Sequence, residues 1–204
     1  MARDPKRTRG RILSAALREF SAQGFAGARV DRIARRARVN KRMLYHYFGK
    51  KDDLFREILR RKLGEQVTWL AVAPEDPAES LPYWFDIACR ETDWVRLMEW
   101  EALRAGNGQV IGEEERRQAF GRGIAKFRER QAKGLISKDL DPGHALLSMM
   151  ALTTFPLAFP QLTRLVTGLA PTDPAFRKQR SAFLRRLADA FRPRLAGRRT
   201  VAAA

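Results

Sequence analysis

The residues best suited to chemistry lie between Gly24 and Phe55, GFAGARVDRIARRARVNKRMLYHYFGKKDDLF, where dense positive charge coincides with the spacing of a helix-turn-helix. The chemistry this suits is contact with nucleic acid, a polyanion. Val30, Ile33, Ala34 and Ala37 recur at three and four residues, as one buried stripe of a short helix would, and Val39 closes that helix. Asn40 is placed to cap a second helix by accepting a backbone N–H bond. In that helix Met43, Leu44, Tyr47 and Phe48 alternate with Lys41, Arg42, Tyr45 and His46. Two short helices separated by about three residues let the second lie in a major groove.

Charge supports this placement. The 204 residues carry 40 Lys plus Arg against 23 Asp plus Glu, a net +17. Residues 1–63 hold 19 basic and 6 acidic side chains, net +13, whereas the remaining 141 hold 21 and 17, net +4. A polyanion-binding head on a more ordinary body is the organisation implied. Phospholipid is the competing polyanion, but no apolar run approaches the roughly 20 residues of a spanning helix. The start, MARDPKRTRGR, lacks the apolar core of a signal peptide, so a cytoplasmic location is the default expectation.

Other chemistries lack residues. The single Cys89 excludes an intrachain disulfide, and with only His46 and His144 beside it no zinc spacing can be assembled. Cys89 reads as a buried thiol. No Gly-rich phosphate loop, serine elbow or HExxH is present, so neither an enzyme nor a cofactor or metal site is expected.

The elements that must position the basic segment read as helix almost throughout, giving an all-α fold. A first helix, Thr8 to Gln23, places Ile12, Leu13, Ala16, Leu17 and Phe20 on one face, with Gly24 as its stop. A fourth, Asp52 to about Leu70, buries Leu54, Phe55, Ile58, Leu59 and Leu63. PEDPAESLP, Pro74 to Pro82, is the candidate boundary between head and body. Further helices are expected over Tyr83 to Arg90, Asp93 to Arg104, Gly112 to Lys133, His144 to Phe155 and Asp173 to Phe191. Phe155 to Pro160 holds Pro156 and Pro160, which should break or kink the helix, and the tail from about Arg192 should fray. The domains are thus 1–63, a three-helix DNA-binding head with the start of the fourth helix, and 64–204, a helical body.

The head resembles the TetR family of bacterial transcriptional repressors. The resemblance is carried by FSAQGF and by VDRIARRARVNKRMLYHYFGKKDDLF, in particular Ile33-Ala34, Ala37, Val39, Leu44-Tyr45, Phe48, Lys51 and Leu54-Phe55. It implies a DNA-contacting set of Arg29, Lys41, Arg42, Met43, Tyr45, His46, Tyr47 and Lys51. Arg42 and Lys41 would reach base edges, Arg42 suiting a bidentate contact to guanine, and Met43 a thymine methyl. Tyr45, Tyr47 and Lys51 suit phosphates, and His46 either. Tyr47 is open to a core reading through its spacing from Leu44, and Arg35, Arg36 and Arg38 to that of a solvated face. The chain departs from the family's pattern at Ala28 and Arg29, where a capping Thr or Ser is usual, at Arg38, where Gly is common, at Arg42-Met43, and at Gly49-Lys50, where Pro-Ser is usual.

By the same resemblance the body senses a small-molecule effector and forms a homodimer through about His144–Phe155 and Asp173–Phe191. Met149, Met150 and Phe183 there read equally as intrachain core. Trp84, Phe85, Trp94, Met98, Trp100, Phe120, Phe127 and Met149 are the residues that would line a ligand pocket or, on the plainer reading, pack as core. Glu99 and Glu101 sit in an apolar helix, where a buried carboxylate needs a partner. The function implied is a sequence-specific repressor released from a palindromic operator by its ligand. The competing reading is a non-specific DNA-coating protein without a ligand switch.

Overall fold

The computed structural model describes residues 4–105 and 112–193. The described residues form ten α-helices and no strand. In the head these are α1 (Pro5–Gly27), α2 (Val30–Ala37), α3 (Lys41–Phe48) and α4 (Lys51–Val72). The body holds α5 (Pro77–Arg90), α6 (Thr92–Ala105), α7 (Glu113–Ala132), α8 (Pro142–Ala158), α9 (Pro160–Thr167) and α10 (Pro174–Leu187), followed by a 3₁₀ turn at Ala188–Phe191. The all-α fold read from the sequence is the observed one.

Local chemistry fixes the helix starts. Asp4, Asp76, Asp141 and Asp173 each precede a proline at the first helical position, and each carboxylate accepts a backbone N–H from the first turn at 2.8–2.9 Å. Proline loses nothing at that position, where its N–H would have no intrahelical partner, and the aspartate satisfies a neighbouring donor. This pairing shows how the chain runs through the expected boundary at Pro74 to Pro82. Only 73–76 connects α4 to α5. The acid- and proline-rich stretch is the capped first turn of α5, with Ser80, Leu81 and Pro82 buried. The division after residue 63 falls in the middle of α4.

The head core is built from the stripes read in the sequence: Ile12, Ala16 and Phe20 of α1, Ile33, Ala34 and Ala37 of α2, Leu44 and Phe48 of α3, and Leu54, Phe55, Ile58 and Leu59 of α4. The rings of Phe20, Phe25 and Phe55 lie 5.1–5.8 Å apart and interlock the ends of α1 and α4. Leu97 of α6 enters this same core, so body and head share a seam. A second core joins Leu81, Phe85 and Cys89 of α5 to Phe127, Ala145, Met149, Phe176 and Leu184. Cys89 is a buried thiol, pushed up from its ordinary pKa by burial.

The turn between α2 and α3 has an arginine where left-handed backbone is required. Arg38 has φ 55° and ψ 46°, and Val39 N–H closes the turn on the Ala34 carbonyl at 3.0 Å. A side chain with a Cβ costs about 1 kcal/mol there relative to glycine. Arg38→Gly is therefore expected to raise stability by about 1 kcal/mol, read as a higher thermal midpoint. A lowered midpoint would show that the arginine side chain stabilises the turn by more than its backbone costs.

The break expected after Phe155 falls at Phe159. Pro156 is tolerated in the last turn of α8, and Pro160 starts α9, which the sequence reading did not anticipate. The two helices meet at 89°. Among the described residues no single helix is long and apolar enough to cross a membrane. At the tail, Arg192 is held rather than frayed, its guanidinium 3.1 Å from Asp76. Residues 194–204 of the expected frayed tail lie outside the described residues.

Candidate functional site

The basic face is positioned by α2, its turn and α3. Asn40 Oδ1 accepts the Met43 N–H at 2.7 Å, fixing the start of α3 as anticipated. Leu44 and Phe48 are buried, Tyr47 is half-buried against the head core, Met43 is half-buried, and Lys41, Arg42, Tyr45 and His46 are exposed. One face of an eight-residue helix thus anchors it while the other is free to enter a groove. Arg42 has no hydrogen-bond or ion-pair partner among the described residues and leaves its guanidinium available in the first turn. Lys41 bridges to Asp31 of α2 at 3.0 Å, and that carboxylate raises its pKa. Tyr47 lies toward the core side, its ring 6.3 Å from that of Phe48 and 5.9 Å from that of His46.

Arg29 and Lys51 are tied to the head's frame. Arg29 gives α2 no side-chain cap, but its N–H donates to Glu19 Oε1 of α1 at 3.2 Å. Glu19, only 3% exposed, also faces Arg32 at 3.6 Å, so a carboxylate from another helix supplies the negative charge that a capping side chain would otherwise bring. The Arg29 side chain stays exposed. Lys51 Nζ donates to the Ala26 carbonyl at 3.3 Å and stands 4.8 Å from the Phe25 ring centre, joining the start of α4 to the end of α1. At that start Asp53 accepts the Lys50 N–H at 3.0 Å, the N3-carboxylate half of a capping box, while no side chain caps the helix from Lys50.

The body holds a cavity of about 1030 Å³ of atom-free space, counted out to its open mouth, between α4, α5, α6, α7 and α8. Of the residues read as pocket lining or core, Trp84, Trp94, Phe120, Phe127 and Met149 line it. Phe85, Met98 and Trp100 do not, which corrects their assignment. Phe85 points at Phe176 of α10, the ring centres 6.3 Å apart. Met98 packs on the head core and its sulfur accepts from Arg116 at 3.4 Å. Trp100 lies over Gly24, with Nε1 donating to the Ser21 carbonyl at 3.1 Å. Helical periodicity marks all three as inward-facing, yet α5 packs on α6, α8 and α10, and α6 on α1, α5 and α8. The sequence reading missed Trp69, Arg130 and Thr153 in the cavity wall. Arg130 follows Phe127 by three residues, a spacing that places both on one helix face.

Of the two carboxylates singled out, Glu101 pairs with Arg116 at 2.8 Å, both largely buried. Glu99 keeps a buried oxygen without a partner, and burial raises its pKa. Neither lines the cavity.

A basic helix-turn-helix on a helical body with its own cavity defines a DNA-binding protein with a second, helical half. Residues 12–58 match the bacterial regulatory proteins of the tetR family, and residues 82–189 match the tetracyclin repressor-like C-terminal domain. The HTH-type transcriptional repressor SCO4008 of Streptomyces coelicolor is 34% identical over 167 residues, 82% of this chain and 87% of its own. The repressor NicS of Pseudomonas putida is 31% identical over 165 residues, 76% of this chain and 77% of its own. Among solved structures, that of SCO4942 from Streptomyces coelicolor superposes with a TM-score of 0.74 at 28% identity, covering 91% of this chain and 99% of that one. The chain belongs to the TetR family and is a DNA-binding transcriptional regulator, not an enzyme. Regulators of this family bind DNA and act as dimers with small-molecule effectors.

Proposed function

We propose that the protein is a homodimeric repressor whose two α3 helices read successive major grooves of a palindromic operator, and that an effector in the body cavity releases it. The observation that carries the DNA reading is the unpaired, exposed Arg42 on the first turn of a firmly seated α3. Arg42 reads a base edge, with Lys41 and Met43 beside it. Tyr45 and His46 lie on the exposed face, while Arg29, Tyr47 and Lys51 set the frame and face the phosphates. DNA binding and the chain's membership of this family support a cytoplasmic location.

The dimer reading rests on an exposed apolar surface. Leu147 and Phe155 of α8 and Phe183 of α10 are half-exposed or more, and Met150 is partly so, whereas Met149 is core. The unanticipated α9 adds Leu165 and Val166, 76% and 84% exposed. Apolar surface on this scale marks an interface.

Release rests on connectivity. Trp94 and Val95 of α6 line the cavity, while Leu97, two residues on, is buried in the head core. Glu91, also in the cavity wall, grips Lys62 of α4 at 2.5 Å. Burial alone would lower the Lys62 pKa, but Glu65 and Glu91 more than offset it, so the ammonium stays charged. A ligand that shifts α6 or Glu91 moves elements packed directly on the head. Near-complete release requires about 10⁴-fold tighter ligand binding to the non-DNA-binding conformation.

Selection of bound sequences from random DNA at two salt concentrations tests the DNA reading. A palindrome bound about 10³-fold or more above random DNA supports it, and no enriched sequence at either salt supports coating instead. Arg42→Ala is expected to relax the preference at one base position in each half-site, costing about 1–3 kcal/mol of discrimination there. An unchanged selection profile would remove Arg42 from base reading.

A further inference from the structure

The body cavity is apolar on most of its wall, but its polar groups are unbalanced in one direction. Arg130 of α7 is 5% exposed, and its Nε–H has no acceptor among the described residues. One of its terminal nitrogens donates to the Pro74 carbonyl at 2.7 Å, which holds the side chain in place. No carboxylate lies within ion-pair distance of it among the described residues, and burial pulls its pKa below the ordinary arginine value. Trp84, on the facing α5, has a buried Nε1–H that is likewise unpartnered. Arg130 also lines a smaller neighbouring cavity of about 250 Å³, where the buried Ser80 hydroxyl has no partner either.

Buried donors without acceptors are uncommon in folded proteins, because each gives up its hydration without replacement. A buried guanidinium with no carboxylate in direct contact is costlier still, and here Glu75 and Glu129 act on it only at longer range. The one carboxylate in the wall, Glu91, is already engaged by Lys62 at 2.5 Å. Of the other basic residues there, Lys126 is paired with Glu129 at 2.9 Å, and Arg122 adds positive charge. An organic cation would meet the positive charge of Arg130 and Arg122 and could not satisfy either orphan N–H.

We infer that the effector is an amphipathic organic anion, an apolar aromatic or alkyl body bearing a carboxylate or sulfonate, with its acid group held by Arg130 and Trp84 and its body among Trp69, Trp94, Phe120 and Phe127. This rests on the release reading above for its biological role but not for the binding itself. The guanidinium and indole N–H groups, both in this wall, would donate charge-assisted hydrogen bonds to the acid, and the rings would cover the remainder.

Calorimetry with three naphthalene probes of matched size tests this: 2-naphthoate, neutral 2-naphthamide and cationic 2-naphthylmethylammonium. The intact protein is expected to bind the naphthoate at least about tenfold more tightly than either of the others. Arg130→Met should bring the naphthoate down to the amide's affinity and leave the amide unchanged. Because Arg130 also anchors Pro74, Trp84→Phe provides a milder variant that keeps the ring, loses only the N–H and should weaken the naphthoate about fivefold. An ammonium probe that binds as well as the naphthoate overturns the proposal, as does an unchanged naphthoate-to-amide ratio in both variants, or no binding of any probe. Measuring dissociation of the selected DNA with the same probes separates the two readings. Release by the ammonium compound keeps the switch and sinks the anion. Anion-selective binding without release keeps the anion site and sinks the switch.

Discussion

Gly24→Ala is expected to destabilise the protein by about 3 kcal/mol, although alanine is ordinarily the better helix residue. Gly24 has φ 66° and ψ 174°, a combination essentially restricted to glycine, and it lets α1 kink before Phe25 joins the ring cluster. A Cβ at this position would stand 2.9 Å from two ring atoms of Trp100. The cost has two parts, backbone strain of about 1–3 kcal/mol and overpacking of similar size, offset by less than about 1 kcal/mol from the stiffer unfolded chain. A double-mutant cycle with Trp100→Ala separates them. The ring is 42% exposed, so its removal opens space without gutting a core, and the cycle should recover about 1–2 kcal/mol while the backbone part persists. Full additivity in denaturant unfolding would mean that Trp100 does not press on this turn. The prediction reaches function because Trp100 belongs to α6, whose Trp94 lines the cavity, so the same seam joins the sensor to the head.

The head was legible because its signals are local. The stripe through Ile33, Ala34 and Ala37, the Asn40 cap and the division of α3 into a buried and an exposed face depend on neighbours within one turn, and all appear in the structure. Aspartate followed by proline was equally local, and its recurrence before α1, α5, α8 and α10 would have moved the supposed linker at Pro74 to Pro82 into a helix. The replacement of a missing cap by Glu19 was not legible, because that carboxylate comes from a different helix ten residues earlier.

The cavity was only partly legible for a related reason. A period of 3.6 says that a side chain faces inward, not which of two neighbours it meets. Phe85 faces α10, Met98 faces the head and Trp100 covers Gly24, while Trp84 and Trp94, on the same helices, pack at the core edges and line the cavity. Arg130 was hidden by composition. In α7, EEERRQAFGRGIAKFRERQA, one more arginine reads as solvated surface, and only three-dimensional packing reveals that this one is buried.

Charging the apolar surface of α8 and α10 is expected to have the largest effect on DNA recognition, without touching the head. In Leu147→Glu/Phe183→Glu, both sites are at least half-exposed in the protomer, so the monomer should keep its stability to within about 0.5 kcal/mol. In a two-fold dimer each substitution occurs twice, and four carboxylates would have to be desolvated in one interface. Light scattering should report a monomer where the unaltered protein is a dimer. Affinity for the selected palindrome should then fall by about 10³-fold or more, because one α3 contacts too few base pairs to hold a half-site alone. Binding to random DNA at low salt should persist, since the net +13 of residues 1–63 remains intact. A variant that stays dimeric would move the interface elsewhere, and a monomer that keeps full operator affinity would overturn the need for two heads. The contrast between the two kinds of DNA is the informative readout: phosphate attraction belongs to each head separately, whereas sequence recognition requires the fixed distance between them that only the body can set.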